Sequence, residues 1–202
     1  FYPTGVQSLD SRTMAALFNL FLLAGKIGRR GSGLNPVTGV SNLLGSYDLG
    51  VSPVFLPGYA AVTDEQAWEK LENFWRVRLD RWPGRNVDAC LSDQEAIKAL
   101  FVVDPDEEII RHVNRINQLD LVVYFGAYHN SFASLADVIF PRTSYVEGDG
   151  TYTNSERRVQ LAQKKIDPPA GVRPLWEILT ALARALGHNW NYHSAEDIMS
   201  EI

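Results

Sequence analysis

Apolar residues at helical spacing predict long helices near both ends of the chain. Thr13–Ala24 is apolar on most faces and is followed by Gly25, a pattern typical of a largely buried helix that ends at a glycine. Pro174–Leu186 has a proline in its first turn, an apolar stripe and Gly187 beyond its end, which predicts an amphipathic helix. We expect both helices to contribute to a hydrophobic core.

Polar capping residues predict three further helices. A capping-box pattern that begins at Thr63 precedes an amphipathic segment running to about Leu79. A second capping box, beginning at Ser92, predicts a short helix over Gln94–Leu100. Near the end of the chain, Ser194–Glu196 caps a last helix.

Three short apolar runs predict the strands of a sheet. Phe101–Val103 is a short β-type run, whereas Leu119–Phe125 and Asp137–Phe140 are of the type that is buried in a parallel sheet. Between the strands, Pro105–Asn117 predicts a helix with an acidic first turn, and Ala133–Ala136 predicts a helical turn. We therefore expect an α/β fold, half of a doubly wound, mainly parallel sheet domain with flanking helices.

Composition and charge exclude several classes of protein. The chain has 202 residues, of which 46% are hydrophobic and 21% are charged, and it carries a net charge of −5. Such a chain is globular, and neither nucleic acid nor an anionic membrane surface would attract it. Its single cysteine, Cys90, excludes an internal disulfide and a cysteine-ligated cluster. No apolar run reaches the roughly 18 residues of a membrane span, so we expect no direct membrane insertion.

Two segments and one histidine are candidates for ligand binding. Gly28–Gly50 is rich in glycine, so its backbone N–H groups could cradle phosphates, or it could be an ordered connection between domains. Glu147–Gln160 is dense in polar groups and could form a polar wall beside a cofactor, or a turn followed by paired Glu and Arg surface residues. His129 follows a buried strand, where α/β folds bind ligands, although an exposed or structural histidine is the alternative.

Four stretches, taken in order, carry a resemblance to a known family. The chain resembles the large subunit of molybdopterin oxidoreductases, most closely the formate dehydrogenase alpha subunit. The stretches are GKIGRRGSGLNPVTGVSNLLGSYDLG (25–50), VSPVFLPGYAAVTD (51–64), ASLADVIFPRTSYVEGDGTYTNSERRVQ (133–160) and PPAGVRPLWEILTALARALG (168–187). Because the chain also begins at Phe1 and ends within a predicted helix, we expect an internal fragment of a longer protein.

The resemblance implies a domain organisation, cofactors and partners. Residues 1–45 would end one nucleotide-binding-like domain and contain the Gly-rich crossing, 46–145 would form an α/β dinucleotide-binding-like domain, and 146–202 would supply a polar segment and helices of the scaffold domain. The implied cofactor is molybdopterin guanine dinucleotide with molybdenum or tungsten, and an iron–sulfur cluster would belong to an N-terminal part absent here. Implied partners are the rest of the same large subunit and electron-transfer subunits, in the cytoplasm or in a membrane-associated complex on the cytoplasmic side.

The resemblance also assigns candidate binding residues. We expect these residues to line the cofactor: Asn35, Thr38, Gly39, Asn42, Gly45, His129 and Asn130, with Thr153, Asn154 and Arg157 as further candidates. Thr38 stands where formate dehydrogenases have the arginine that orients formate, and threonine cannot make the bidentate contact to a carboxylate that arginine makes. No catalytic residue and no metal ligand is therefore assigned.

Other departures from the family pattern support a second hypothesis. Asp104-Pro105-Asp106 stands where the family has the turn that receives the dinucleotide, and Phe125-Gly126 replaces a Gln-Asp pair that contacts guanosine. Carboxylates repel a pyrophosphate, and proline has no N–H to donate. The first hypothesis is a formate dehydrogenase-like enzyme that oxidises formate or a related small substrate. The alternative is a cofactor-less relative such as the large iron–sulfur subunit of respiratory complex I, acting in electron transfer or assembly.

Overall fold

The computed structural model describes residues 11–34, 41–82, 84–93, 97–105 and 107–202. The described α-helices are α1 (Ser11–Leu23), α2 (Leu43–Asp48), α3 (Glu65–Trp75), α4 (Val87–Ser92), α5 (Val113–Ile116), α6 (Leu175–Ala185) and α7 (Ala195–Glu201). The described strands are β1 (Phe55–Leu56), β2 (Ala60–Ala61), β3 (Ala99–Val103), β4 (Leu121–Gly126), β5 (Val138–Pro141), β6 (Gly150–Thr153) and β7 (Val159–Ala162). Two 3-10 helices cover Glu107–His112 and Ser131–Leu135.

A three-stranded parallel sheet with flanking helices confirms the predicted α/β class. Its order is β3-β4-β5, so β4 is hydrogen-bonded to a neighbour on each side. Val103 pairs with Phe125 in the register between β3 and β4, and Gly126 pairs with Pro141 between β4 and β5. The carboxyl ends of all three strands therefore lie at one edge of the sheet.

Both faces of β4 are buried, which explains its uninterrupted apolar sequence. Val122 and Tyr124 belong to a core cluster with Ile116 and Phe132, from the helices that cover one face. Val123 and Phe125 point to the other face, where they pack with Ile178 of α6. Because successive residues of a strand point to opposite faces, only a strand that is covered on both sides needs every position apolar.

The chain divides into two compact units. One combines the described residues up to 82 with 151–160, and the other comprises the described residues of 84–150 and 161–202. The first unit is therefore discontinuous in sequence, and the three-stranded parallel sheet belongs to the second unit. The three-part division at 45 and 145 remains a prediction.

The structure corrects the expected burial of α1. Its apolar side chains include Phe18, Leu20 and Leu23, which are 45%, 59% and 87% exposed. By contrast α6 buries Ile178 and Ala183, as its amphipathic pattern predicts. Among the described helices, none is both long enough and apolar enough to cross a membrane.

Two helix predictions fail at their boundaries for physical reasons. Residues 94–96 of the expected helix over 94–100 lie outside the described residues, and its end is wrong, because Ala99 and Leu100 begin β3 and pair with β4. Its expected cap, Ser92, is instead the last residue of α4. The expected helix from Thr63 to Leu79 is shorter: Asp64 accepts hydrogen bonds from the first turn as its N-cap, and Arg76 ends it in the left-handed conformation. In place of the expected helix over Pro105–Asn117, Glu107–His112 form a 3-10 helix that continues into the single turn of α5.

Candidate functional site

The Gly-rich segment and the polar run that the sequence singles out meet in the first unit. The side-chain Oδ1 of Asn42 accepts a hydrogen bond of 2.8 Å from the backbone N–H of Thr153, which lies 111 residues further along the chain. Asn42 adopts a left-handed conformation with φ of 60°, a region that asparagine tolerates better than most residues. The bond therefore fixes β6 against the start of α2.

Two side chains approach the Cα of Gly45 and leave no room for a larger residue. It is buried, and a Cβ at this position would collide with Oδ1 of Asn42 and lie 3.1 Å from Oγ1 of Thr153. The glycine thus allows the close contact between Asn42 and Thr153. Around Gly45 the Gly-rich segment is therefore ordered and held by side-chain contacts.

Arg157 adds a positive charge to the same place. Its Nη1 lies 3.2 Å from Oδ1 of Asp48, and its Cζ lies 4.7 Å from the ring centroid of Tyr59. Tyr59 in turn stacks on Phe55 with 4.2 Å between ring centroids. We call Asn42, Gly45, Asp48, Thr153 and Arg157 the Asn42 cluster. Its arginine keeps 53% of its side chain exposed, so an external anion can reach the guanidinium.

A tight turn presents Arg157. Oδ1 of Asn154 accepts hydrogen bonds from the backbone N–H groups of Glu156 and Arg158, at 2.9 and 3.0 Å. Such a side-chain-to-backbone turn is what asparagine favours. Arg157 itself has φ of 59°, so the turn holds it in a conformation that arginine rarely adopts. Asn154 therefore positions the arginine, and its carbonyl oxygen is engaged within the turn.

A second polar group lies at the carboxyl edge of the parallel sheet. Oδ1 of Asp104, directly after β3, accepts a hydrogen bond of 3.0 Å from the backbone N–H of Ala127, directly after β4. The other carboxylate oxygen of Asp104 forms an ion pair with Arg142, directly after β5. Asp104 thereby links the ends of three strands, in a backbone conformation with φ of 37°.

His129 and Asn130 follow β4, as the sequence predicts. His129 is exposed, whereas Oδ1 of Asn130 accepts a hydrogen bond of 3.2 Å from Ala133 and caps the 3-10 helix. The buried Tyr124 donates its hydroxyl to the carbonyl of Tyr128 at 2.7 Å, and burial raises the pKa of this phenol. The loop is thus held internally, and a role for His129 and Asn130 in cofactor binding remains a prediction.

The other candidates of the Gly-rich segment cannot be placed. Asn35, Thr38 and Gly39 lie outside the described residues. The part of the chain that the structure describes contains no group of three or more His, Cys, Asp or Glu side chains suited to a metal ion.

Sequence reasoning missed a charged cluster on α4. Asp88 lies 2.5 Å from Nη2 of Arg111 and 2.8 Å from Nε2 of His112, and these two hydrogen bonds lower the pKa of the Asp88 carboxyl. The side chain of His112 is only 17% exposed, although the acidic segment in which it lies is typical of a solvated surface. No sequence signal links residue 88 to residues 111 and 112, because their contact depends on how α4 packs.

Most of the chain is similar in sequence to known proteins. A family model described as molybdopterin oxidoreductase matches residues 7–185. The chain is 36% identical over 198 residues to the F420-dependent formate dehydrogenase subunit alpha of Methanocaldococcus jannaschii, covering 93% of this chain and 29% of that protein. It is 37% identical over 199 residues to a putative formate dehydrogenase of Bacillus subtilis, covering 95% of this chain and 20% of that protein. An F420-dependent formate dehydrogenase alpha subunit of Methanococcus maripaludis is 37% identical over 210 residues, covering 100% of this chain and 30% of that protein. The chain thus spans less than a third of the length of these curated relatives.

Proposed function

The chain belongs to the molybdopterin oxidoreductase family, and on that premise we propose that it forms part of the large subunit of a formate dehydrogenase-like enzyme. The alpha subunits that it resembles carry formate dehydrogenase in their names. We propose that this part contributes to the binding of molybdopterin guanine dinucleotide. The enzyme as a whole would support the two-electron oxidation of formate or a related small substrate.

One observation carries this proposal. The two segments 25–50 and 133–160 both carry the family resemblance, and a hydrogen bond of 2.8 Å joins them at Asn42 and Thr153, which are 111 residues apart. The Asn42 cluster therefore supports a shared surface built from both segments.

The donor set of the Asn42 cluster fits one wall of an anionic cofactor. Arg157 is half exposed and offers a guanidinium, and the hydroxyl of Thr153 offers a further hydrogen-bonding group. Asp48 and Tyr59 hold the guanidinium in place, so little side-chain entropy would be lost on binding, although an incoming anion would share the guanidinium with the Asp48 carboxylate. When bound, the cofactor would supply the molybdenum or tungsten centre for the redox chemistry, and this chain would orient its organic part.

The carboxyl edge of the sheet does not fit the cofactor's diphosphate. Asp104 already accepts the N–H of Ala127 and pairs with Arg142, so a negative charge stands where a phosphate would need hydrogen-bond donors. This observation favours the second candidate function, a cofactor-less relative such as the large iron–sulfur subunit of respiratory complex I, which acts in electron transfer or assembly.

Metal and pterin analysis of the intact protein separates the two candidates. Elemental mass spectrometry and pterin fluorescence after oxidation should give near-stoichiometric molybdenum or tungsten together with pterin. In a matched pair of variants, Arg157→Ala should lower pterin occupancy whereas the neighbouring Arg158→Ala should leave it unchanged. Folded protein with neither metal nor pterin would refute the first function and favour the second.

A substitution at position 38 tests the proposed substrate. Because the resemblance puts the formate-orienting arginine there, Thr38→Arg in the full-length protein should raise formate turnover, while Thr38→Lys, which cannot bind a carboxylate through two parallel N–H groups, should raise it less. Steady-state formate oxidation measures the effect. In cofactor-loaded protein, equal rates for the wild type and Thr38→Arg would contradict the assignment of this position.

The partners and the location follow from the same proposal. We propose that the chain contacts the rest of its large subunit and, through it, electron-transfer subunits, since relatives are named as alpha subunits. We further propose a cytoplasmic location, either free or in a complex on the cytoplasmic side of a membrane. Neither nucleic acid nor direct membrane insertion is part of the proposal.

A further inference from the structure

A cavity of about 300 Å³ lies in the second unit, along α6 and the segment 186–194 that joins α6 to α7. Glu177, Thr180 and Arg184 line it from α6, and their spacing of three and four residues puts them on one face of the helix. Tyr192 and His193 line it from the joining segment. This volume is at the lower end of the range for small-molecule sites, so the cavity suits a ligand with a single ring and is too small for a dinucleotide.

The joining segment is held in place from both helices. On the side of α6, Nε of Arg184 donates a hydrogen bond of 2.5 Å to the carbonyl of Trp190. On the side of α7, the hydroxyl of Tyr192 donates to a carboxylate oxygen of Glu201 at 2.5 Å. The backbone N–H of His193 donates to a carboxylate in the first turn of α7 at 2.8 Å. This wall is therefore fixed before any ligand binds, which limits the entropy lost on binding.

Positive charge predominates among the side chains around the cavity. Arg173 and Arg184 each contribute a guanidinium, whereas Glu177 is the one acidic residue among the described residues that line it. Within the part of the chain that the structure describes, the side chain of Arg173 forms neither a hydrogen bond nor an ion pair, and that of Arg184 is engaged through Nε. The carboxylates of α7 that contact the joining segment already accept hydrogen bonds from it. Both guanidinium groups therefore offer N–H donors to an incoming anion.

Trp176 gives the cavity an aromatic surface. It lines the cavity within about one helical turn of Arg173 and of Thr180. Thr180 is 4% exposed, so the cavity reaches the interior of the unit. The indole is partly buried, and a ligand ring that packs against it would be shielded from water on that side. A flat apolar surface thus lies beside two cationic groups.

We propose that this cavity binds a small aromatic anion, a single ring that carries a carboxylate or a phosphate group. The guanidinium groups of Arg173 and Arg184 bind the anionic group, and the indole of Trp176 packs against the ring. Glu177 lowers the positive charge of the site without cancelling it. The proposal is independent of the proposed function, because the site requires neither a pterin nor a metal.

Isothermal titration calorimetry on the full-length protein tests the proposal with benzoate and phenyl phosphate as probes. Each probe is compared with a counterpart that has no ring, acetate for benzoate and inorganic phosphate for phenyl phosphate. We expect saturable binding of at least one aromatic probe, about tenfold tighter than that of its counterpart, because the ring buries apolar area against the indole. The probe that binds more tightly identifies the anionic group.

Substitutions at two positions separate the contributions of charge and ring. Arg173→Ala should weaken binding of the aromatic probe by about tenfold, because one charge-assisted contact is lost. Arg173→Gln keeps most of the side-chain length, so it reports on the charge even where Arg173→Ala unfolds. Trp176→Ala should remove the advantage of the aromatic probe over its counterpart without a ring.

A matched control distinguishes this cavity from general electrostatic attraction. Arg158→Ala removes an exposed arginine that does not line the cavity, so it should bind the aromatic probe as tightly as the wild type does. The proposal is overturned if neither aromatic probe binds to the folded wild type, or if acetate and inorganic phosphate bind as tightly as their aromatic counterparts. Folded Arg173 variants with unchanged affinity, or an equal loss in Arg158→Ala, would overturn it as well.

Discussion

Asn42 links two distant segments, and its replacement measures how much that link stabilises the first unit. In Asn42→Ala the half-buried N–H of Thr153 loses its acceptor, which costs about 1 to 3 kcal/mol. The left-handed conformation at φ of 60° adds about 1 kcal/mol for alanine, because its Cβ crowds the backbone there. We therefore expect Asn42→Ala to destabilise the contact by about 2 to 4 kcal/mol in total.

Two further substitutions at this position separate the two causes. Asn42→Gly removes the same acceptor but accepts the positive φ, so it should lose only about 1 to 3 kcal/mol. Asn42→Asp keeps an oxygen acceptor and a residue that tolerates the conformation, so it should stay close to the wild type. The order of stability should be wild type and Asn42→Asp, then Asn42→Gly, then Asn42→Ala.

Hydrogen–deuterium exchange gives a local reading of this contact. In the intact protein, exchange in peptides that contain Thr153 should be about thirtyfold faster or more in Asn42→Ala, the equivalent of about 2 kcal/mol. Peptides from β4 should be unaffected and provide an internal control. Unchanged exchange at Thr153 in Asn42→Ala, or equally fast exchange in Asn42→Asp, would refute the reasoning.

Three further predictions follow from contacts in the two units. Gly45→Ala should speed exchange in the peptides that contain Thr153, because the added Cβ displaces the side chain of Asn42, and this outweighs the better helix propensity of alanine. Unchanged exchange would contradict this reasoning. Tyr124→Phe should destabilise the sheet unit by about 1 kcal/mol, because the carbonyl of Tyr128 loses its donor, and urea denaturation measures the loss. The pKa of the Asp88 carboxyl is lower in the folded protein than in the unfolded chain. Its stabilising contribution is therefore present above its unfolded-state pKa and is lost as the pH falls through its folded-state pKa. Carboxyl NMR titration should show that Arg111→Met raises the folded-state pKa of Asp88.

The sheet could be predicted from the sequence because each strand has a continuous apolar run. The observed strands β4 and β5 begin and end within two residues of the predicted ones, because a short continuous apolar run leaves few alternatives. The burial expected for β5 is wrong, since Val138 and Ile139 are 38% and 46% exposed, whereas β4 is buried. Ala99 and Leu100 were wrongly predicted as the end of a helix, because a short apolar run fits both a helix end and a strand start until its pairing partner is known. The burial expected for α1 is wrong for a related reason, because the apolar sequence of a helix does not determine which other residues pack against it.

The candidate site could be predicted only in part. Glycine and asparagine enrichment marked the segment around Asn42, and the polar run marked Thr153 and Arg157, but nothing in either segment specifies their 111-residue contact. The role of Asp104 was recognisable as a departure from the family, whereas its pairing with Arg142 depends on the register of three strands. Long-range side-chain contacts are set by tertiary packing, which local patterns do not encode.

The discontinuity of the first unit has a consequence for the order of folding. The strands of the sheet lie between Asn42 and Thr153 in sequence, and closing a contact across 111 residues carries an entropy loss that grows with the logarithm of the loop length. The strands pair over much shorter separations and leave the ribosome before Thr153 does. Once the sheet has formed, fewer conformations of the intervening chain remain to be lost. We therefore expect the Asn42 cluster to form late in folding, and substitutions that slow pairing of the strands to delay it without touching any of its residues.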